Sequence, residues 1–242
     1  MKFFDRPLVV PSILLGIALV LGLGIVGQGI PSRGNSNTIT VTGSASQNVK
    51  ADEATWAVDV RRTAYADGVS AASTQVSRDG KAVLNYFSQQ KFASSTITAS
   101  VVSSNENYSN NGEPVTYTID QTITVTTSDV DKIDTMSHDV TALNAAVSSG
   151  SLISPQQPQY YVSSLPALRV SLLGAAIKDA KARAVQIAQS GGSQVGALAS
   201  ASSGVVQVLS PNSTNVEDYG EYDTSTVQKE VMVTAHATFY VR

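Results

Sequence analysis

Two histidines are the whole imidazole inventory of this 242-residue chain, and it contains no cysteine. Disulfides, thiolate nucleophiles, Cys-based zinc sites and a lipidated cysteine anchor are therefore excluded. His138 falls in a segment of helical spacing, four residues after Asp134, so the two share a helix face; the plain reading is a solvated face. His236 falls in an alternating segment with Met232, Thr234, Thr238 and Tyr240, opposite Val231, Val233 and Phe239. That pattern reads as the surface of a sheet. Either histidine serves a Ser/His/Asp hydrolase only if the fold gathers a serine and a carboxylate around it. Serines are too abundant for the sequence to nominate one. No H-E-x-x-H, G-x-S-x-G or P-loop pattern occurs, so zinc-protease, α/β-hydrolase and NTPase chemistry lack support.

Oxygen chemistry has one candidate. Glu217, Asp218, Glu221 and Asp223 lie close together in a polar segment and could bind Ca²⁺. Their spacing is not that of an EF-hand, and Tyr219, Gly220 and Tyr222 equally suit a solvated contact loop. Asn107 and Asn212 each open an N-x-[ST] sequon in a predicted loop, which matters only in a source that glycosylates such sites. Gly22, Gly24 and Gly27 spell G-x-G-x-x-G, but inside an apolar run with no strand before it, so no dinucleotide site is read from them. No cofactor and no resident metal are expected.

Composition narrows the partners. The chain is 42% hydrophobic and only 14% charged, with a net charge of −3; soluble domains carry about 25% charged residues. Ser, Thr, Asn and Gln make up the difference. A slightly acidic chain offers no basic face for nucleic acid.

The elements that must position these residues begin with a leader. Residues 8–30 carry no charge, and about 20 apolar residues span a bilayer as a helix. Lys2 and Arg6 precede the run and Arg33 follows it, which places residues 1–7 in the cytoplasm and the rest outside. A cleaved signal peptide is the rival reading, but its apolar core is shorter and its cleavage site A-x-A-like, whereas the best candidate here is Gly27-Gln28-Gly29. The expected organisation is a cytoplasmic N-terminus at 1–7, a transmembrane anchor at 8–30, a linker at 31–37 and one domain over 38–242. Roughly 210 residues outside the leader suffice for a proper core.

Within that domain, residues 38–43 and 54–62 alternate as strands, joined by a polar turn at 48–53. Helical spacing of Val69, Ala72, Val76, Val83, Leu84 and Phe87 predicts a helix over 66–90, with Asp79 and Lys81 on its polar side and Gly80 weakening its middle. Segments 95–104 and 115–127 read as an antiparallel pair, the second carrying a threonine face. One helix is predicted over 128–150, capped by Ser128, then a loop at 151–158 and a short strand at 160–163. The clearest helix is 165–189, with a stripe of Leu165, Leu168, Leu172, Ala176, Ala180, Ala184 and Ile187, ended by Gly191 and Gly192. Strands at 195–209 and 226–241 close the chain. The expected class is α+β: antiparallel sheets with helices packed on one side, preceded by one N-terminal transmembrane helix.

The run Ala-Ile-Lys-Asp-Ala-Lys-Ala-Arg-Ala at 176–184, followed by Ala188 and the glycines 191–196, resembles the SIMPL-domain family. Residues 40–56, TVTGSASQNVKADEATW, are similar to its first motif, with Gly43 and Asp52-Glu53-Ala54, and the alternating end at 231–241 fits as well. The resemblance spans residues 38–242 and, with the leader, points to the family's membrane-anchored prokaryotic branch. It implies an envelope protein, with some relatives assembling into large rings or hollow oligomers, and it carries over no catalytic residue. The expectation is a non-enzymatic, membrane-anchored envelope protein whose partner is itself. An envelope hydrolase with a dispersed Ser/His/Asp site, or a small-ligand or Ca²⁺-binding module, is the alternative.

Overall fold

Small and β-branched residues alternate well past residue 43, and the first strand continues with them. In the computed structural model, which describes residues 37–108, 114–147, 150–213 and 219–242, β1 runs Thr38–Lys50 and β2 runs Glu53–Tyr65. The turn predicted at 48–53 shrinks to Ala51 and Asp52. A helical turn then leads into α1, Val69–Gln89, followed by β3 at Ile97–Ala99, β4 at Ser103–Asn107 and β5 at Thr116–Thr127. Next come α2 at Val130–His138, α3 at Thr141–Ala145, β6 at Leu152–Pro155 and β7 at Gln159–Tyr161. The long α4, Leu165–Ser190, precedes β8 at Val195–Leu209 and β9 at Gln228–Val241.

The strands form two antiparallel sheets. One has the order β1-β9-β8; the other has β3-β5-β2-β6, with β4 also on β5 and β7 also on β2. Helix α4 lies over β1 and β9, and α1 lies over β5 and β2. The expected α+β class, with antiparallel sheets and helices, is therefore correct. The leader and its G-x-G-x-x-G lie outside the described residues.

Four local expectations need correction. The strand predicted over 95–104 divides into β3 and β4, because the Ser100 hydroxyl, not a backbone carbonyl, takes the Thr122 N–H at 3.0 Å and the ladder breaks there. The helix predicted over 128–150 divides at Asp139, whose backbone is extended and whose carboxylate accepts the Thr141 N–H at 3.0 Å. Its N-cap is Asp129, without a side-chain cap bond, and not Ser128. The loop predicted at 151–158 contains β6, which pairs with β2 from Val58 to Arg61 and buries Ile153.

The larger core lies between the six-stranded sheet and α1. Trp56, Val58 and Val60 meet Val76, Val83, Phe87, Ile119 and Ile123 there, with Trp56 edge-on to Phe87 at 5.6 Å. The Trp56 indole also donates to the Gln156 carbonyl at 2.9 Å, as a buried indole N–H requires. Asp79, expected on the polar side of α1, is buried and accepts hydrogen bonds from Ser151 and Gln75. Gly80 has a packing reason: a Cβ there would lie 2.1 Å from Gln121 Oε1.

The second core is thin and depends on small residues. Ala176, Ala180, Ala184 and Ala188 of α4 face β1 and β9, while Ile187, predicted on that stripe, is exposed. The buried position passes to Ala188, four residues after Ala184. At Gly43 the helix touches the strand's backbone: a Cβ would sit 2.1 Å from the Ala176 carbonyl oxygen and 2.3 Å from the Ala180 nitrogen. One residue on, the Ser44 N–H donates to Asp179 Oδ2 at 2.9 Å, and Arg183 Nε donates to the same oxygen at 2.7 Å.

Gly43→Ala is expected to lower stability by about 1–3 kcal/mol or more, since the neighbours are backbone atoms that cannot turn aside. Gly174→Ala, on the same helix with open space around it, is expected to raise stability by about 0.5–1 kcal/mol. Urea unfolding of the two variants beside the parent checks both.

Candidate functional site

Helix α2 carries Asp134, Ser137 and His138 along one edge, and the β6–β7 turn faces them with Pro155, Gln156, Gln157 and Pro158. Tyr160, Pro211 and the stretch 225–228 complete a cleft of about 750 Å³. Asp52 in the β1–β2 turn does not line the cleft but anchors the segment that follows Tyr160. The Asp52 N–H donates to the Tyr161 carbonyl at 2.9 Å, and its carboxylate accepts the Ser163 N–H and hydroxyl, each at 2.7 Å. The Ser163 backbone bond leads in holding the Asp52 carboxyl below its usual range, although partial burial opposes it. Tyr160 is thereby held where its hydroxyl donates to Asp134 Oδ1 at 2.8 Å. Burial, then the hydrogen bond to Asp134 and its charge, push the phenol well above its ordinary value. At neutral pH it is a fixed donor and not a base.

The other two groups are turned inward on their own helix. His138 Nδ1 and the Ser137 hydroxyl both donate to the Asp134 carbonyl, at 2.6 and 2.8 Å. A carbonyl only accepts, so Nδ1 carries the proton and Nε2 faces solvent. A nucleophilic triad needs serine on one ring nitrogen and a carboxylate on the other; around His138 the described residues supply neither. The cleft offers hydrogen bonds to a polar molecule, without an activated nucleophile among the described residues.

His236 lies on the open face of the three-stranded sheet. Its Nδ1 is 2.9 Å from Thr42 Oγ1, and Ser202 is its cross-strand partner on β8. Thr40 and Thr238 bond side by side at 2.9 Å in the neighbouring row. The result is a hydroxyl-rich sheet face, as the alternation predicted.

Of the four acidic candidates, Glu217 and Asp218 lie outside the described residues. Glu221 and Asp223 flank Tyr222, which runs parallel to β8 at Val208: the Val208 N–H donates to the Glu221 carbonyl and the Asp223 N–H to the Val208 carbonyl, both at 2.8 Å. Burial works to raise the Asp223 carboxyl, but hydrogen bonds from Ser225 and the charge of Lys229 hold it below the usual range. Lys229 is fully buried, and its ammonium donates to the Asp223 carbonyl. A carboxylate beside a lysine is a poor start for a cation site. Among the described residues no group of three or more His, Cys, Asp or Glu is placed to hold a metal.

Asn107 ends β4 and is not in a loop; its amide bonds Thr116 and Thr118 at 3.2 and 3.0 Å. Asn212 sits in a turn with φ +62°, in the left-handed region. Sequence reasoning passed over Lys229 and Asp79. The signal for Lys229 was present: it shares the parity of Val231, Val233, Ala235, Ala237 and Phe239, all buried.

One site of another kind remains. Strand β8 is an edge, and apart from the contact at Val208 no described strand covers its outer side. Its fifteen residues carry no charge and no proline, and positions 197–203 are exposed on both faces.

Removing the Asp52 charge gives a pH-dependent loss. A folded-state value below the ordinary carboxylate value of about 3.9 stabilises the fold above that pH, and the stabilisation fades as pH falls through the lower folded value. The parent is therefore expected to exceed Asp52→Asn in stability at neutral pH and to converge with it in acid, as measured by urea midpoints across pH.

None of the curated proteins matches the chain. The SIMPL family, described as a protein family of unknown function (DUF541), matches over residues 39–239. That span includes the glycine contact, the Asp52 hook and the β8 edge, and the chain belongs to the SIMPL family.

Proposed function

We propose that this protein is a non-enzymatic, membrane-anchored envelope protein that acts by assembling with copies of itself through the β8 edge. The observation that carries this reading is the unprotected strand. Edge strands are normally blunted by lysine, proline, a β-bulge or a covering element; β8 has neither lysine nor proline, and its bulges fall on either side of an exposed stretch. On β1, by contrast, Asp179 takes the outward Ser44 N–H, so that edge is interrupted at its middle. The β8 ladder shifts register near Leu198 and again between Ser203 and Val206, leaving Ser200–Ser203 and Val206–Leu209 as regular stretches, the first of them exposed. A second copy pairing along this stretch meets an uncharged edge.

Membrane attachment through residues 8–30, with residues 38–242 outside the cytoplasm, belongs to the same proposal; its support is the uncharged run and the flanking Lys2 and Arg6. No helix among the described residues is long and apolar enough to cross a membrane. The hydrolase and cation-binding alternatives draw less support, because the described histidines and acids are tied up as set out above.

In light scattering of the detergent-solubilised full chain at micromolar concentration, an oligomer is the expected result. Ala201→Lys combined with Ser202→Lys is expected to weaken association at least about tenfold, about 1.4 kcal/mol per interface. A parent that stays monomeric removes the reading.

A further inference from the structure

Four chain ends of the three-stranded layer meet at one pole: the start of β1, the end of α4, the start of β8 and the end of β9. The Val241 N–H donates to the Asn37 carbonyl at 2.7 Å, and Gln194 and Arg242 exchange backbone hydrogen bonds. Three large apolar side chains are exposed within a few residues of this pole: Ile187 at 55%, Leu198 at 46% and Tyr240 at 50%. A groove of about 370 Å³ opens there between Ile39, Ala188, Gly191 and Val241. Across segments 37–42, 187–200 and 238–242 the only charged side chain is Arg242.

The opposite end of the same layer, where β1 hands over to β2, is built differently. Lys50, Asp52, Glu53, Asp131, Asp223 and Glu230 gather around that handover and the start of β9. Carboxylates are repelled by an anionic leaflet, whereas an arginine and a tyrosine are held at one.

Chain length selects between the two ends. The described chain begins at Asn37, seven residues after the apolar run 8–30, and seven residues reach at most about 25 Å. Helix α4, with 26 residues, is roughly 39 Å long. The pole at Asn37 is therefore confined near whatever surface residues 8–30 occupy, and the acidic end can stand clear of it.

We infer that this pole is a lipid-contact surface: Ile187, Leu198 and Tyr240 rest in the headgroup region of the bilayer, with Arg242 on lipid phosphate, so that the domain stands end-on with its acidic end outward. The inference rests on the anchor reading of residues 8–30. It fixes the orientation in which copies would meet along β8.

The absence of native cysteine makes the test direct. The full chain is reconstituted into phosphatidylcholine–phosphatidylglycerol vesicles after Ile187→Cys, Leu198→Cys or Tyr240→Cys, with Val101→Cys, 84% exposed in the β3–β4 connection, as reference. Each exposed thiol is labelled with bimane and quenched by lipid bearing a headgroup nitroxide. Quenching at least about twofold above the Val101 label at two of the three pole positions is expected for side chains seated in the headgroup layer. Protein that floats with the vesicles but quenches equally at all positions overturns the lipid contact and leaves the anchor standing. Protein that does not float overturns the anchor and this inference together.

Discussion

The approach of α4 to the backbone of β1 at Gly43 is the contact on which the rest of the three-stranded layer depends. A sheet of three strands offers little apolar area, and its helix contributes mostly alanine. Dispersion falls steeply with distance, so such a face stabilises only if the two backbones come close. Gly43 allows that approach. Asp179 then adds direction by taking the Ser44 N–H, with Arg183 neutralising the charge it brings. The six-stranded layer solves the same problem with bulk: Trp56, Phe87 and Phe92 fill the space under α1, and aromatic edges meet there at 5.6 and 6.0 Å.

That close contact has a consequence across the sheet. A helix centred on β1 and β9 leaves β8 overhanging, and positions 197–203 stay exposed on the helix side as well as on the open side. The same geometry that caps β1 at Ser44 leaves the first half of β8 uncovered. The 221–223 segment covers only the far end of β8, held by Lys229 below and by Tyr222, whose hydroxyl accepts the Val162 N–H at 2.8 Å. Layer and connection are joined by short polar hooks of this kind, with Asp52 on Ser163 at the β1–β2 turn and Tyr160 on Asp134 between β7 and α2.

The histidines illustrate how chemistry is lost in folding. Asp134 and His138 do share a helix face, as their spacing requires, but the helix offers His138 a nearer acceptor in its own carbonyl. Asp134 meanwhile is held by Tyr160 from a strand distant in sequence. The shared face was legible from spacing alone; the two separate hydrogen bonds were not.

Periodicity by itself determined most of the order of elements, with β6 and the divisions at Ser100 and Asp139 missed, the antiparallel α+β class, the apolar faces of β2, β5 and β9, and the extent of α4 to within a residue. Those features follow from local geometry, which a sequence states directly. The motif around Gly43 and the alanine run determined the family, since both encode one backbone contact. Only the tertiary structure decided that Ser100 and Asp139 interrupt their elements, because a side chain competing with the backbone wins only where a partner is in place. Only it placed Asp79 and Lys229 inside, where acceptors and donors from other segments meet them. And only it placed the Asp179 cap on the β1 edge while leaving positions 197–203 of β8 exposed, a difference set by where a helix came to rest.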